Sequence, residues 1–219
     1  MSASSSNHSS NRITEPAQTV TVKRGRGRPP KDGRSAAETR QLLIRSGVEV
    51  LTAQGFSATG LDQLLKRVGV PKGSFYHFFE SKEAYVHAVV ERYGRSFERL
   101  LADSFEYQQL APLQRLQRFV NNAAEWMAKH QYQRGCLVGN LGQEVNQLPE
   151  SLRAPLQQIL ASWEQQVAQC LEAAGIEQAE TLAHVFWIGW EGAVMRARLE
   201  QSAEPLHRWH QWFVGSLNP

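Results

Sequence analysis

The sequence predicts an all-α protein, and three observations carry that reading. From Ser35 onward apolar residues recur at three- and four-residue spacing, and no stretch alternates as a strand would. Ser, Thr or Pro precede the apolar stripes and Gly follows several of them, the order in which helices start and stop. In LDQLLKRVGVPKGSFYHFF, Leu61–Phe79, two short stripes flank a turn holding Gly69, which is the pattern of a helix-turn-helix.

Taken in order, residues 1–22 are polar and low in complexity and read as disordered. The next stretch, KRGRGRPPK, is basic. Residues 1–34 carry seven cations against two acids, so the net charge of +3 is a property of this arm and the other 185 residues are slightly acidic. Arg26-Gly27-Arg28-Pro29 resembles an AT-hook core, in which two arginines enter a narrow A·T minor groove. A solvated basic linker touching phosphates without preference is the alternative.

Ser35 and Glu38 have capping-box form and open the first helix, which Gly55 closes. Thr59 caps the second, with Asp62 three residues on. Leu61, Leu64, Leu65 and Val68 give that helix its apolar side. Gly69 supplies a turn at positive φ, and Pro71 stands where a new helix begins. Phe75, Phe78 and Phe79 face inward, leaving Lys72, Ser74, Tyr76 and His77 outward, as a helix in a major groove requires. A plain helical hairpin accounts for the three Phe but not for that polar row. Ser81 caps a long helix reaching about Phe105. Further stripes run from Pro112, from Pro149 to Leu171, from Thr181 to Leu199 and from Pro205 to Leu217. The Thr181–Leu199 stretch is apolar on more than one side and calls for burial on several faces.

The run GFSATGLDQLLKRVGVPKGSFYHFFESKEAY, Gly55 to Tyr85, resembles the DNA-binding domain of TetR-family transcriptional repressors. The resemblance implies nine helices, a DNA-binding domain over 35–80 with its helix-turn-helix at 59–79, and a ligand-binding and dimerisation domain over 81–219. It implies that Lys72, Gly73, Ser74, Tyr76 and His77 meet double-stranded DNA in the major groove, with Thr59 and Lys82 on phosphates and Arg26 and Arg28 in the minor groove. It further implies a homodimer through Thr181–Leu199 and Pro205–Leu217, a palindromic operator and release by a small molecule. On that reading a charge at Val194 dissociates the dimer. An architectural A·T binder using the basic arm alone is the reading from another class.

Enzyme signatures are absent: no P-loop, no G-x-S-x-G, no Rossmann fingerprint, and so no implied cofactor. His207 and His210 lie three apart without a third ligand nearby, so no metal is expected. No apolar run of about 18 residues or secretory leader is present. With two cysteines and no framework for a disulfide, the chain reads as cytoplasmic, and as nucleoid-associated when on DNA.

One segment stands apart: RGCLVGNLGQEV, Arg134 to Val145, poor in helix formers between two good helices. Together with RGRGRP, VPKGSFYHFF and FWIGWEGA it resembles a TetR subgroup that answers to acrylate or to N-ethylmaleimide. The resemblance implies an effector pocket lined by Trp126, Met127, Cys136, Asn140, Trp187 and Trp190, with Arg134, Glu144 or Glu191 as polar partners. Trp and Met at helical spacing are equally consistent with plain core. A reversible ligand such as acrylate or its thioester, and covalent capture of an electrophile by Cys136, both remain open on the sequence. In either case the Ser81–Phe105 helix carries the signal.

Overall fold

A computed structural model describes residues 33–217. The basic arm, with Arg26 and Arg28, and the disorder expected of it lie outside the described residues. Among these residues there are eight α-helices, one six-residue 3₁₀ helix and two three-residue 3₁₀ turns, with no strand. None of the helices is long and apolar enough to cross a membrane.

Helix α1 (Ala36–Gln54) opens on the expected capping box: Glu38 N–H donates to Ser35 Oγ at 3.2 Å, and Ser35 N–H to the Glu38 carboxylate at 2.7 Å. Gly55 ends it at φ 79°, where a side chain would be strained. Helix α2 (Leu61–Val68) is capped by Gly60 and not by Thr59. Thr59 is only 5% exposed, its hydroxyl donating to Gly55 O at 2.6 Å and its N–H to Phe56 O at 3.1 Å. The threonine closes the preceding turn, which the Ser/Thr capping preference alone does not distinguish from a cap. At Gly69 (φ 71°) the chain reverses, with Val70 N–H donating back to Leu65 O at 2.9 Å.

The following helix spans Lys72–His77 and is 3₁₀ throughout, with Pro71 just outside it. Helix α3 (Lys82–Phe105) starts at the Ser81 cap, where Ala84 N–H donates to Oγ at 2.9 Å. Then come α4 (Pro112–Lys129), α5 (Leu137–Gln143), α6 (Arg153–Ala173), α7 (Ala179–Glu200) and α8 (Glu204–Ser216).

Two aromatic clusters organise the packing. Phe75 and Phe79 meet Tyr85 edge-on, and the Tyr85 hydroxyl donates to Leu43 O at 2.9 Å, tying the 3₁₀ helix and α3 to α1. Burial pushes that phenol far above its ordinary range, so it stays a neutral donor. Gly47 lets α3 lie this close, because a Cβ there would overlap Tyr85 and Val89. Gly47→Ala is expected to cost about 1–3 kcal/mol by overpacking, read as a lowered urea midpoint at unchanged slope. The second cluster joins Phe97, Phe119, Trp163, Phe186, Trp187 and Trp190 from α3, α4, α6 and α7.

Helix α7 is two-faced. Phe186, Trp187, Trp190, Ala193, Val194 and Ala197 point inward, while Val185, Ile188, Met195 and Leu199 form an outward stripe. Val194 is therefore an inside residue, one step round the helix from the apolar face that is open. Part of the tryptophan-rich surface closes within the subunit: Trp209 of α8 lies on Gly189 and donates Nε1–H to Phe186 O at 3.2 Å. Trp212, one turn further along α8, stacks on the Trp209 ring at 5.3 Å and is exposed.

Candidate nucleic-acid interface and ligand cavity

On the 3₁₀ helix, Lys72, Gly73, Tyr76 and His77 are exposed and Ser74 is half-buried. Tyr76 is 66% exposed, unusual for a ring of its size, while neighbouring Phe75 is fully inside. Lys72 pairs with Asp62 of α2 at 3.0 Å with both side chains open to solvent. Such a pair contributes little to stability and exchanges readily for another anion. Lys82 is also exposed, its Nζ held 4.8 Å from the Phe56 ring centre. Thr59, turned inward, offers no free donor to a phosphate.

A cavity of about 440 Å³ lies among α1, α3, α4, α7 and the segment before α5. Trp126, Met127, Arg134, Cys136 and Trp190 line it, together with Tyr93, Phe97 and Leu100 of α3. Trp187, Asn140, Glu144 and Glu191 do not. Trp187 belongs to the aromatic core. The sequence reading missed Arg45, Glu49, Arg92, Arg99 and Asp103 at the cavity. Residues 92, 96, 99 and 103 recur at helical spacing on α3, a polar stripe that sequence alone assigns to solvent.

At the cavity floor the Cys136 sulfur caps α5, accepting from Gly139 N–H at 3.4 Å. It lies between the Tyr93 hydroxyl and the Glu191 carboxylate. Burial, then the neighbouring Glu191, pushes the thiol far above its ordinary range. Burial also raises the Glu191 carboxyl, and one of its oxygens has no hydrogen-bond partner. The folded chain thus keeps the Glu191 proton to higher pH than the unfolded chain does. Stability from this group is complete below its unfolded value and falls as pH rises toward the folded one. Glu191→Gln should melt higher than the parent, with a gain that opens above about pH 4.3 and widens upward. Paired thermal melts across pH check this; a gap that does not vary with pH would refute it.

The residues next to the cavity grip the end of α1. Arg134 Nε donates to Thr52 Oγ1 at 2.9 Å, and Gly135 N–H to Thr52 O at 3.0 Å. Asn140 Nδ2 donates to Leu51 O at 3.1 Å and Thr52 O at 3.0 Å, and Arg198 Nη2 to Ala53 O at 2.8 Å. Thr52 O and Ala53 O are among the carbonyls that a helix C-terminus leaves without partners, while Leu51 O also accepts from Gly55 N–H. Glu144, just past α5, accepts from Phe56 N–H at 3.0 Å and Ser57 N–H at 2.6 Å. Burial raises its carboxyl, but the Ser57 and Phe56 hydrogen bonds outweigh that and hold it below the usual range. A Cβ on Gly55 would overlap this carboxylate. Asn140 and Glu144 are thus joints between the two halves of the chain.

Comparison with known proteins finds two family models along the chain. The model "Bacterial regulatory proteins, tetR family" matches residues 43–89, and "Tetracyclin repressor-like, C-terminal domain" matches 112–213. The chain is 44% identical over 208 residues to the transcriptional regulator AcuR of Cereibacter sphaeroides, covering 92% of this chain and 94% of that one. It is 30% identical to the HTH-type transcriptional repressor NemR of Escherichia coli K12, covering 77% and 88% of the two chains. A crystal structure of a TetR regulatory protein from Rhodobacter sphaeroides superimposes with a TM-score of 0.77 at 46% identity, over 80% of this chain and 96% of that one. With its helix-turn-helix, its second helical domain and these relatives, the chain belongs to the TetR family of DNA-binding transcriptional regulators.

Proposed function

We propose that the chain is a homodimeric repressor that leaves a palindromic operator when a small molecule binds reversibly in the 440 Å³ cavity. Its DNA-binding domain spans 35–80 and its ligand-binding and dimerisation domain 81–219. Lys72, Gly73, Ser74, Tyr76 and His77 read the major groove, Lys82 meets phosphate, and Arg26 and Arg28 extend the contact along the minor groove. The observation that carries this reading is the placement of α5. Cys136 at its start walls the cavity, and Glu144 just beyond its end holds the loop that leads into α2. A ligand that favours a different seat for α5 shifts the helix-turn-helix with it. That route runs through α5 as well as along α3.

The state of Cys136 favours reversible binding over covalent capture. Attack on an electrophile needs a thiolate, and this sulfur is buried beside a carboxylate that holds it as thiol. Cys136→Ser should keep its release from operator DNA by acrylate-type compounds in a gel-shift titration. Loss of response, with an adduct mass on the parent protein, would replace this reading with the covalent one. Deletion of residues 1–34 should weaken binding without erasing operator specificity. A footprint that loses its sequence preference would favour the architectural reading.

A further inference from the structure

Fourteen arginines fall within the described residues, and eleven of them have a hydrogen-bond, ion-pair or ring partner. The three without one are Arg45, Arg92 and Arg99, and all three line the same cavity. Arg134 is there too, its guanidinium 5.0 Å from the Trp126 ring centre. Two carboxylates share the wall, Glu49 and Asp103, but Glu49 is already engaged by Arg67 at 2.9 Å. The remaining charge on the wall is strongly positive. Guanidinium forks without a protein partner are matched in geometry to phosphate and carboxylate oxygens. Deeper in, Phe97, Leu100, Ala123, Met127, Trp190 and Val194 make the wall apolar.

Resting on the effector reading above, we infer that the cavity takes an amphiphile: an alkyl or acyl chain of several carbons carrying a phosphate-type head with more than one negative charge. The chain lies against Phe97, Met127 and Trp190, and the head meets Arg45, Arg92 and Arg99. Size points the same way. At about 30 Å³ per water, a space of about 440 Å³ holds roughly fifteen waters, and a three-carbon acid leaves most of it unfilled. Two sources share this chemistry, a simple alkyl phosphate and an acyl thioester of a phosphorylated nucleotide carrier.

The test is calorimetric titration of the full-length protein with hexanol, hexanoate, hexyl phosphate and hexanoyl-coenzyme A. Affinity should rise with head charge, hexyl phosphate exceeding hexanol by about tenfold or more, the scale of one charge-assisted hydrogen bond. In an Arg92→Gln, Arg99→Gln double variant the ratio of hexyl phosphate to hexanol affinity should collapse toward one. Equal affinity for hexanol and hexyl phosphate in the parent, or an intact ratio in the variant, overturns the inference. Salt gives an independent reading on the unaltered protein: raising it from about 50 to about 500 mM should weaken hexyl phosphate and not hexanol, and parallel salt curves overturn the inference. Tighter binding of hexanoyl-coenzyme A than of hexyl phosphate identifies the carrier thioester, and the reverse order the simple phosphate; both support the class. Gel shifts run alongside separate the two readings, since head-group-selective binding that leaves the operator complex intact upholds the ligand class and refutes release.

Discussion

Replacing Ile188 and Leu199 together by aspartate is expected to yield monomers and to weaken operator binding about a hundredfold or more. The two side chains are 63% and 80% exposed on the outward stripe of α7, and Met195 lies between them. Trp212 on α8 adds a further large exposed ring. An apolar helix face of this length is costly to leave in water and suits an isologous contact with a second copy. Two carboxylates buried at such a contact would lack partners, which costs far more than the lost apolar area. A monomer reads one half-site, so it forfeits the gain of binding two linked sites, typically two to four decades. Sedimentation velocity and a fluorescence-anisotropy titration on operator DNA measure both effects. A variant that stays dimeric, or a monomer that keeps full operator affinity, would count against the α7 face. The same change at Val194 should instead unfold the subunit, since that side chain points into the interior.

Glu144→Ala is the second large effect. It should reduce the ratio of operator affinities measured without and with ligand toward one, removing a coupling that in allosteric proteins generally amounts to roughly 5- to 150-fold. The carboxylate accepts two backbone N–H groups of the loop before α2, and alanine removes both bonds. Ligand should still bind with near-parental affinity, because Glu144 does not line the cavity. Calorimetry and anisotropy on the same preparation distinguish lost coupling from lost binding. An unchanged ratio would mean that α3 carries the signal alone.

What the sequence made legible follows the range of the interactions. The Ser35–Glu38 capping box, the turn at Gly69 and the inward Phe75 and Phe79 depend on residues within a turn or two of one another, and local pattern finds them. Thr59 failed on the same local ground, because a threonine can bond backward into a turn as easily as forward into a helix. The resemblance puts Asn140 and Glu144 at the pocket, whereas the structure ties both to the end of α1 and the loop after it. Their partners at Leu51, Thr52, Phe56 and Ser57 are more than eighty residues away, and no spacing rule reaches that far. The arginines of α1 and α3 were passed over because a polar helical stripe reads as solvent until the neighbouring helices are in place.

The grip on the end of α1 has an evolutionary consequence. Most of the atoms it holds, Leu51 O, Thr52 O, Ala53 O, Phe56 N and Ser57 N, belong to the main chain. Every amino acid but proline offers such atoms, so the attachment is nearly blind to which side chains the reading head carries. Two positions are exceptions: Gly55, fixed by its φ and by the carboxylate beside it, and Thr52, whose hydroxyl accepts from Arg134. On the proposed reading of Lys72, Ser74, Tyr76 and His77 as the groove-facing residues, substitutions there retarget the head to a new operator without rewiring the sensor. Diverging regulators can change which genes they govern while continuing to hear the same signal.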